Sequence, residues 1–154
     1  MRKELFFEAI RSKVLVSAKH NVIGYIDEFI LDTAIFTPAH VVLEEDAELQ
    51  LFAYLNSLYP GLVVRQKILP DGSRIDLAMK DYGVEVKFVK RLNKPELDRA
   101  VGQAIGYTRF FDRVILVLYH DLASDRRLRE LAESVVSREP RVSVIVKKVY
   151  NPRA

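Results

Sequence analysis

Apolar and polar positions alternate along Val84–Lys90, where Val84, Val86 and Phe88 interleave with Glu85, Lys87 and Val89. That period of two predicts a strand with Glu85 and Lys87 on one face. Just upstream, Ser73–Met79 gathers Ile75, Leu77, Ala78 and Met79, the composition of a strand covered on both sides. The intervening Lys80-Asp-Tyr-Gly83 supplies a turn, so the pair reads as a hairpin. Elsewhere the period lengthens. Glu44–Leu58 lines up Leu51, Tyr54, Leu55 and Leu58 as a helical stripe that continues backwards through Glu48 and Glu44. Leu62–Leu69 predicts a strand ended by the turn Pro70-Asp-Gly72, and a helix runs from Pro95 to about Phe111. Arg113–Tyr119 is a buried strand, Asp121–Ser137 a charged helix with Leu128, Leu131 and Val135 inward, and Arg141–Val149 a last strand. Strand, helix, strand from Val84 to Tyr119 implies a right-handed crossover with parallel pairing.

Before this core, Leu5, Phe6, Ile10 and Val14, then Ile23, Tyr25, Ile26, Phe29 and Ile30, fall at helical spacing. They predict two helices broken near Lys19-His-Asn21, although Lys13–Ala18 also suits a strand. The expected organisation is one domain over 1–154, with an N-terminal helical arm (1–40) and an α/β core (41–150). The arm's apolar residues suit packing on the core or on a second copy of the chain, so a homodimer is one expected assembly.

Composition narrows the chemistry. The 154 residues include no cysteine, which removes disulfides, thiolate zinc sites and iron–sulfur ligation. A net charge of +3 permits a nucleic-acid partner without demanding one. No apolar run is long enough to span a bilayer and the start lacks a signal-peptide pattern, so the expectation is a cytoplasmic protein with no membrane partner. His20, His40 and His120 are isolated and lack metal-motif spacing. No phosphate-cradling glycine loop or serine-nucleophile elbow occurs.

The hairpin carries the remaining signal. Folded about Asp81 and Tyr82, it sets Asp76 opposite Lys87 and diagonal to Glu85, so that two carboxylates and an ammonium converge. A solvent-facing salt-bridge ladder would have the same residues. The apolar flanks argue instead for a covered sheet, where unpaired carboxylates are costly and a divalent cation relieves them. Mg²⁺, a hard cation that takes one or two carboxylates plus water and phosphate oxygens, fits.

Asp76 followed by Glu85-Val-Lys87 on a hairpin resembles the D…ExK motif of the PD-(D/E)XK, or restriction-endonuclease-like, nuclease superfamily. Gln103-Ala-Ile-Gly-Tyr107 on the next helix resembles the QxxxY motif of its RecB-like branch. The predicted order α-β-β-β-α-β-α-β is similar to the superfamily core plus one further unit, and the likeness covers roughly residues 44–119. Asp71 in Pro70-Asp71 mimics the family's Pro-Asp pair but is better explained as a turn former. The resemblance implies a central mixed sheet flanked by helices, and Mg²⁺-dependent hydrolysis of DNA phosphodiesters, with Mn²⁺ as a substitute. It implies a cation held by Asp76, Glu85 and the Val86 carbonyl, with Glu48, preferred over Glu44, as a further acid. Lys87 would then assist the attacking water and the phosphate, with Gln103 and Tyr107 in support. Lys90, Arg91 and Lys94 would receive DNA phosphates or form a solvated surface. Members of the superfamily serve restriction, DNA repair, recombination and replication; the iron–sulfur subgroup needs cysteines that this chain lacks. Two rival readings are a catalytically inactive nuclease-fold module that binds nucleic acid or a protein partner, and an unrelated α/β protein with a surface charge network.

Overall fold

The computed structural model describes residues 21–150. Strand β1 (Val22–Ile23) and helix α1 (Glu28–Ile35) precede the long helix α2 (Glu44–Leu58). Three strands follow, β2 (Val64–Ile68), β3 (Arg74–Met79) and β4 (Tyr82–Val89), and then α3 (Lys94–Tyr107), β5 (Arg113–His120), α4 (Arg126–Arg138) and β6 (Val142–Lys148). The order from α2 onward is the one the hydrophobic pattern predicts. All six strands join one sheet in the order β1-β6-β5-β4-β3-β2. β4, β5 and β6 run parallel, while β2, β3 and β1 pair antiparallel with their neighbours. The result is an α/β fold with a six-stranded mixed sheet covered by helices on both faces.

Period two in the central strand builds both layers. Ile115, Val117 and Tyr119 of β5 pack with Phe29, Ile30, Leu51 and Leu55 of α1 and α2. Their neighbours Val114, Leu116 and Leu118 pack with Val101 and Ala104 of α3 and with Leu128 and Ala132 of α4. A strand buried on both faces needs the continuous apolar run that β5 has. Leu58, expected in the buried stripe of α2, is exposed, and the helix buries Ala47, Glu48, Leu51 and Leu55.

Local chemistry sets the boundaries. Asp27 caps α1 by accepting from Ile30 N–H at 3.0 Å, and Asn93 caps α3 by accepting from Glu96 N–H at 3.1 Å. Asp46 accepts from the N–H groups of Val42 and Leu43 at the start of α2. Gly83 admits no side chain, because a Cβ there would lie 2.6 Å from Ile75 Cδ1 and 2.7 Å from Phe111 Cδ2.

Two expectations need correction. The second N-terminal helix, expected to include Ile23, Tyr25 and Ile26, begins only at Glu28. Val22 and Ile23 are instead an edge strand paired with Ile145 and Val144 of β6. Gly24, at φ +106°, breaks the chain between strand and helix. The first predicted helix lies outside the described residues. The hairpin turn is also shorter than expected: Met79 pairs with Tyr82, leaving only Lys80 and Asp81 between the strands. Tyr82 therefore belongs to the ladder, and the register moves by two residues.

Candidate active site

The shorter turn changes which side chains meet. Counting on from Leu77 opposite Val84, Asp76 stands across from Glu85 rather than Lys87. A shift of two keeps every side chain on its face, so Asp76, Glu85 and Lys87 still converge. The paired ladder between β3 and β4 ends at Leu77 and Val84, although β3 goes on pairing with β2 down to Arg74. β4 meanwhile stays paired with β5 through Val89. At the fork, Val86 N–H donates to Asp76 Oδ2 at 2.8 Å. A carboxylate thus takes the place of a strand carbonyl.

The acids are deeply placed. Glu85 is 4% exposed and Glu48 5%. Burial, followed by the negative charge of Asp76, pushes the Glu85 carboxyl up to about 7, against the opposing pull of Lys87. Burial also raises Asp76 above the usual carboxylate range; the Val86 N–H opposes this, and Glu48 adds to it by charge and as a hydrogen-bond partner. Lys87 Nζ lies 3.2 Å from Glu85 Oε2 and 3.7 Å from Glu44 Oε1. Burial alone would lower the Lys87 ammonium, but Glu85, Glu44 and Asp76 together raise it above its ordinary value. Among the described residues, Glu85 Oε1 is buried with no hydrogen-bond partner. A buried acceptor without a donor is costly, and its oxygen suits a hard cation.

Both candidate glutamates of α2 reach this region by different routes. Glu48 stands beside Asp76, while Glu44 meets Lys87; burial, more than any charge, raises the Glu44 carboxyl. Glu48 is fully engaged: Arg65 Nε donates to its Oε2 at 2.8 Å, and Gln66 Nε2 donates to Oε1 at 2.8 Å and to Oε2 at 2.9 Å. Gln66 Nε2 also reaches Asp76 Oδ1 at 3.2 Å. Among the described residues, no group of three or more histidines, cysteines, aspartates or glutamates is disposed to hold a metal.

Helix α3 borders this cluster. Tyr107 is buried and donates to the Arg74 carbonyl at 2.9 Å, which ties α3 to the strand that carries Asp76. Burial raises its phenol, with further contributions from Glu85 and Asp76. Gln103 is exposed and lines an open cleft of about 520 Å³ with Glu44, Lys87, Lys90, Arg91 and Arg99. Lys94 lies apart from that lining, its ammonium 2.6 Å from Asp98 one turn along the same helix.

Arg65, Gln66 and Arg99 escaped the reading of the sequence. A signal for Gln66 was available: it and Asp76 are equidistant from Asp71, about which β2 and β3 fold. Counting outward from that turn would have set the amide beside the carboxylate.

Comparison with family models, with curated proteins and with solved structures yields no match to this chain. Among the described residues, no helix is long and apolar enough to cross a membrane.

Proposed function

We propose that this protein is a metal-dependent DNA nuclease of the PD-(D/E)XK type, built on a restriction-endonuclease-like core. The observation that carries the reading is the pairing of a partnerless buried oxygen, Glu85 Oε1, with an ammonium 3.2 Å from the other oxygen of the same carboxylate. Beyond burial, the charge of Asp76 raises the proton affinity of Glu85 and that of Glu48 raises the proton affinity of Asp76, the mark of a site short of positive charge. Asp76, Glu85 and the Val86 carbonyl would hold Mg²⁺ or Mn²⁺, with Glu48 nearby. Such an ion, when bound, acidifies water and neutralises phosphate oxygens.

The chain's own residues supply the rest. Lys87, which lines the cleft, places an ammonium where negative charge grows on a phosphate under attack. It also orients the attacking water through the hydrogen bonds an ammonium can donate. Lys90, Arg91 and Arg99 along the cleft offer charge to the flanking phosphates of a DNA strand. Tyr107 acts at one remove, holding β3 against α3.

The reading is tested by incubating the purified protein with single-stranded, duplex, flapped and branched DNA in Mg²⁺, Mn²⁺ or chelator. Cleavage of at least one substrate, dependent on metal and lost in Asp76→Asn, is the expected result. Binding without cleavage under every condition would favour a catalytically inactive nuclease-fold module. That second reading draws on the saturated hydrogen bonding of Glu48.

A further inference from the structure

We propose that Gln66 is a latch on the cation site, holding Asp76 and Glu48 together while no cation is bound and withdrawing to admit one. The inference rests on the reading of these carboxylates as a cation site. Three carboxylate oxygens from two acids surround one amide nitrogen, at 2.8, 2.9 and 3.2 Å. All three are acceptors, so the NH₂ end of the amide faces them. It stands in the space between two acids that a cation would take.

The oxygens of Asp76 divide their work. Oδ2 is held by the Val86 main chain, which a cation cannot displace without disturbing β4. Oδ1 accepts from the Gln66 amide at 3.2 Å, the longest of the three contacts and the easiest to break. An Mg²⁺–oxygen contact is about 2.0–2.1 Å long, shorter than any of the three contacts of the amide nitrogen, so an ion taking that space would displace the amide and draw the oxygens inward. An independent observation is that buried Glu85, whose carboxyl faces Asp76 across the hairpin, keeps one oxygen without a hydrogen-bond donor among the described residues.

The backbone shows what holds the latch shut. Gln66 sits at φ +52° in the middle of β2, while its neighbours Arg65 and Lys67 pair regularly with Leu77 and Ile75. A residue with a side chain is uncommon in that left-handed region, and it persists only where its surroundings over-determine it. The contacts of the amide with Glu48 and Asp76 are what its surroundings provide. β2 is the outermost strand on its side of the sheet and Gln66 is half-buried, so the side chain has solvent to swing into.

The test measures Mn²⁺ binding to the full chain without DNA, by electron paramagnetic resonance, in wild type, Gln66→Met and Gln66→Gly. Methionine keeps the bulk and removes the donor. Glycine removes the donor and accepts a φ of +52° without strain, so it decides the matter if the methionine variant misfolds. Both variants should bind Mn²⁺ about two- to tenfold more tightly, the range for losing one competing hydrogen bond. The Mn²⁺ concentration for half-maximal cleavage should fall in step. Wild type that binds no Mn²⁺ beside variants that do would also support a latch. Variants that bind equally or more weakly than a binding wild type would overturn the latch and leave the cation reading standing. No binding by any of the three, or binding that survives Asp76→Asn, would overturn both.

Discussion

Asp76 Oδ2 accepts the main-chain N–H of Val86 at 2.8 Å, at the place where β3 and β4 cease to pair. One side chain thereby does two jobs, terminating a ladder and facing the Glu85 carboxyl. The jobs separate by mutation. Asn keeps an acceptor oxygen and loses the charge, so Asp76→Asn should fold with near-normal stability and cut no DNA. Ala leaves the Val86 N–H unpaired, which costs about 1–3 kcal/mol. Urea unfolding of both variants beside a cleavage assay checks the difference; equal stabilities would mean that the hydrogen bond carries no structural weight.

Lys87 separates an enzyme from a binding module. Its ammonium is 3.2 Å from Glu85 Oε2, and Lys87→Ala removes that charge while leaving the expected cation ligands in place. Losing one such stabilising group in a transition state costs about two to three orders of magnitude in rate. DNA affinity should fall far less, because Lys90, Arg91 and Arg99 share the phosphates along the cleft. Single-turnover cleavage and filter binding on the same preparation distinguish the cases, and a parallel collapse of both would make Lys87 a binding residue.

Glu48 and Glu44 should differ in kind. Glu48→Gln breaks contacts with Arg65, Gln66 and Asp76, so it should weaken metal-dependent cleavage and lower stability together. Glu44 is about half exposed and pairs with Lys87 at 3.7 Å, so Glu44→Gln should change either property little. A larger activity loss at Glu44 would move the third acid of the site one turn towards the start of α2.

The Glu85 carboxyl also predicts a pH dependence of stability. Its proton affinity in the fold is raised from 4.5 to about 7, so the fold favours the protonated form. The stability this contributes is fully present below pH 4.5 and is lost as pH rises through about 7. In chelator, Glu85→Gln should therefore stabilise the protein relative to wild type at pH 8, by as much as about 3 kcal/mol, and do little at pH 4.5. Denaturant midpoints at the two pH values check the sign. Added Mg²⁺ should stabilise wild type at pH 8 and leave the glutamine variant unmoved.

The fold was legible where one physical signal ruled. β5 is apolar at every position from Val114 to Leu118, and α2 keeps a buried stripe at helical spacing from Ala47 to Leu55; both lie where the pattern sets them. At Val22–Ile23 the same apolar residues suit either period, and pairing with β6, which a local window cannot see, decides for a strand. The hairpin failed on turn length, because Tyr82 reads as a turn residue until its ring and hydroxyl are seen packed against Phe29 and bonded to Asp27. Asp76, Glu85 and Lys87 meet all the same, because a slip of two preserves the faces. The contacts of Gln66 were the least legible, since they depend on a left-handed residue within a strand that no propensity announces.

The sheet order has a consequence for how the chemistry is anchored. Glu85 and Lys87 ride on β4, an interior strand hydrogen-bonded to β5 along its whole length, whereas Gln66 and Arg65 ride on the outermost strand, β2. Amide protons exchange with solvent through local opening, and the free energy of opening falls from core strands towards edges. Amides of β2 should therefore exchange before those of β4, which puts the two groups of side chains in different opening units. Fraying of β2 would carry the Gln66 amide away from Asp76 and Glu48 while Glu85 and Lys87 stayed fixed, so the acids can be uncovered at the rim of the sheet without loosening the strand that bears the lysine.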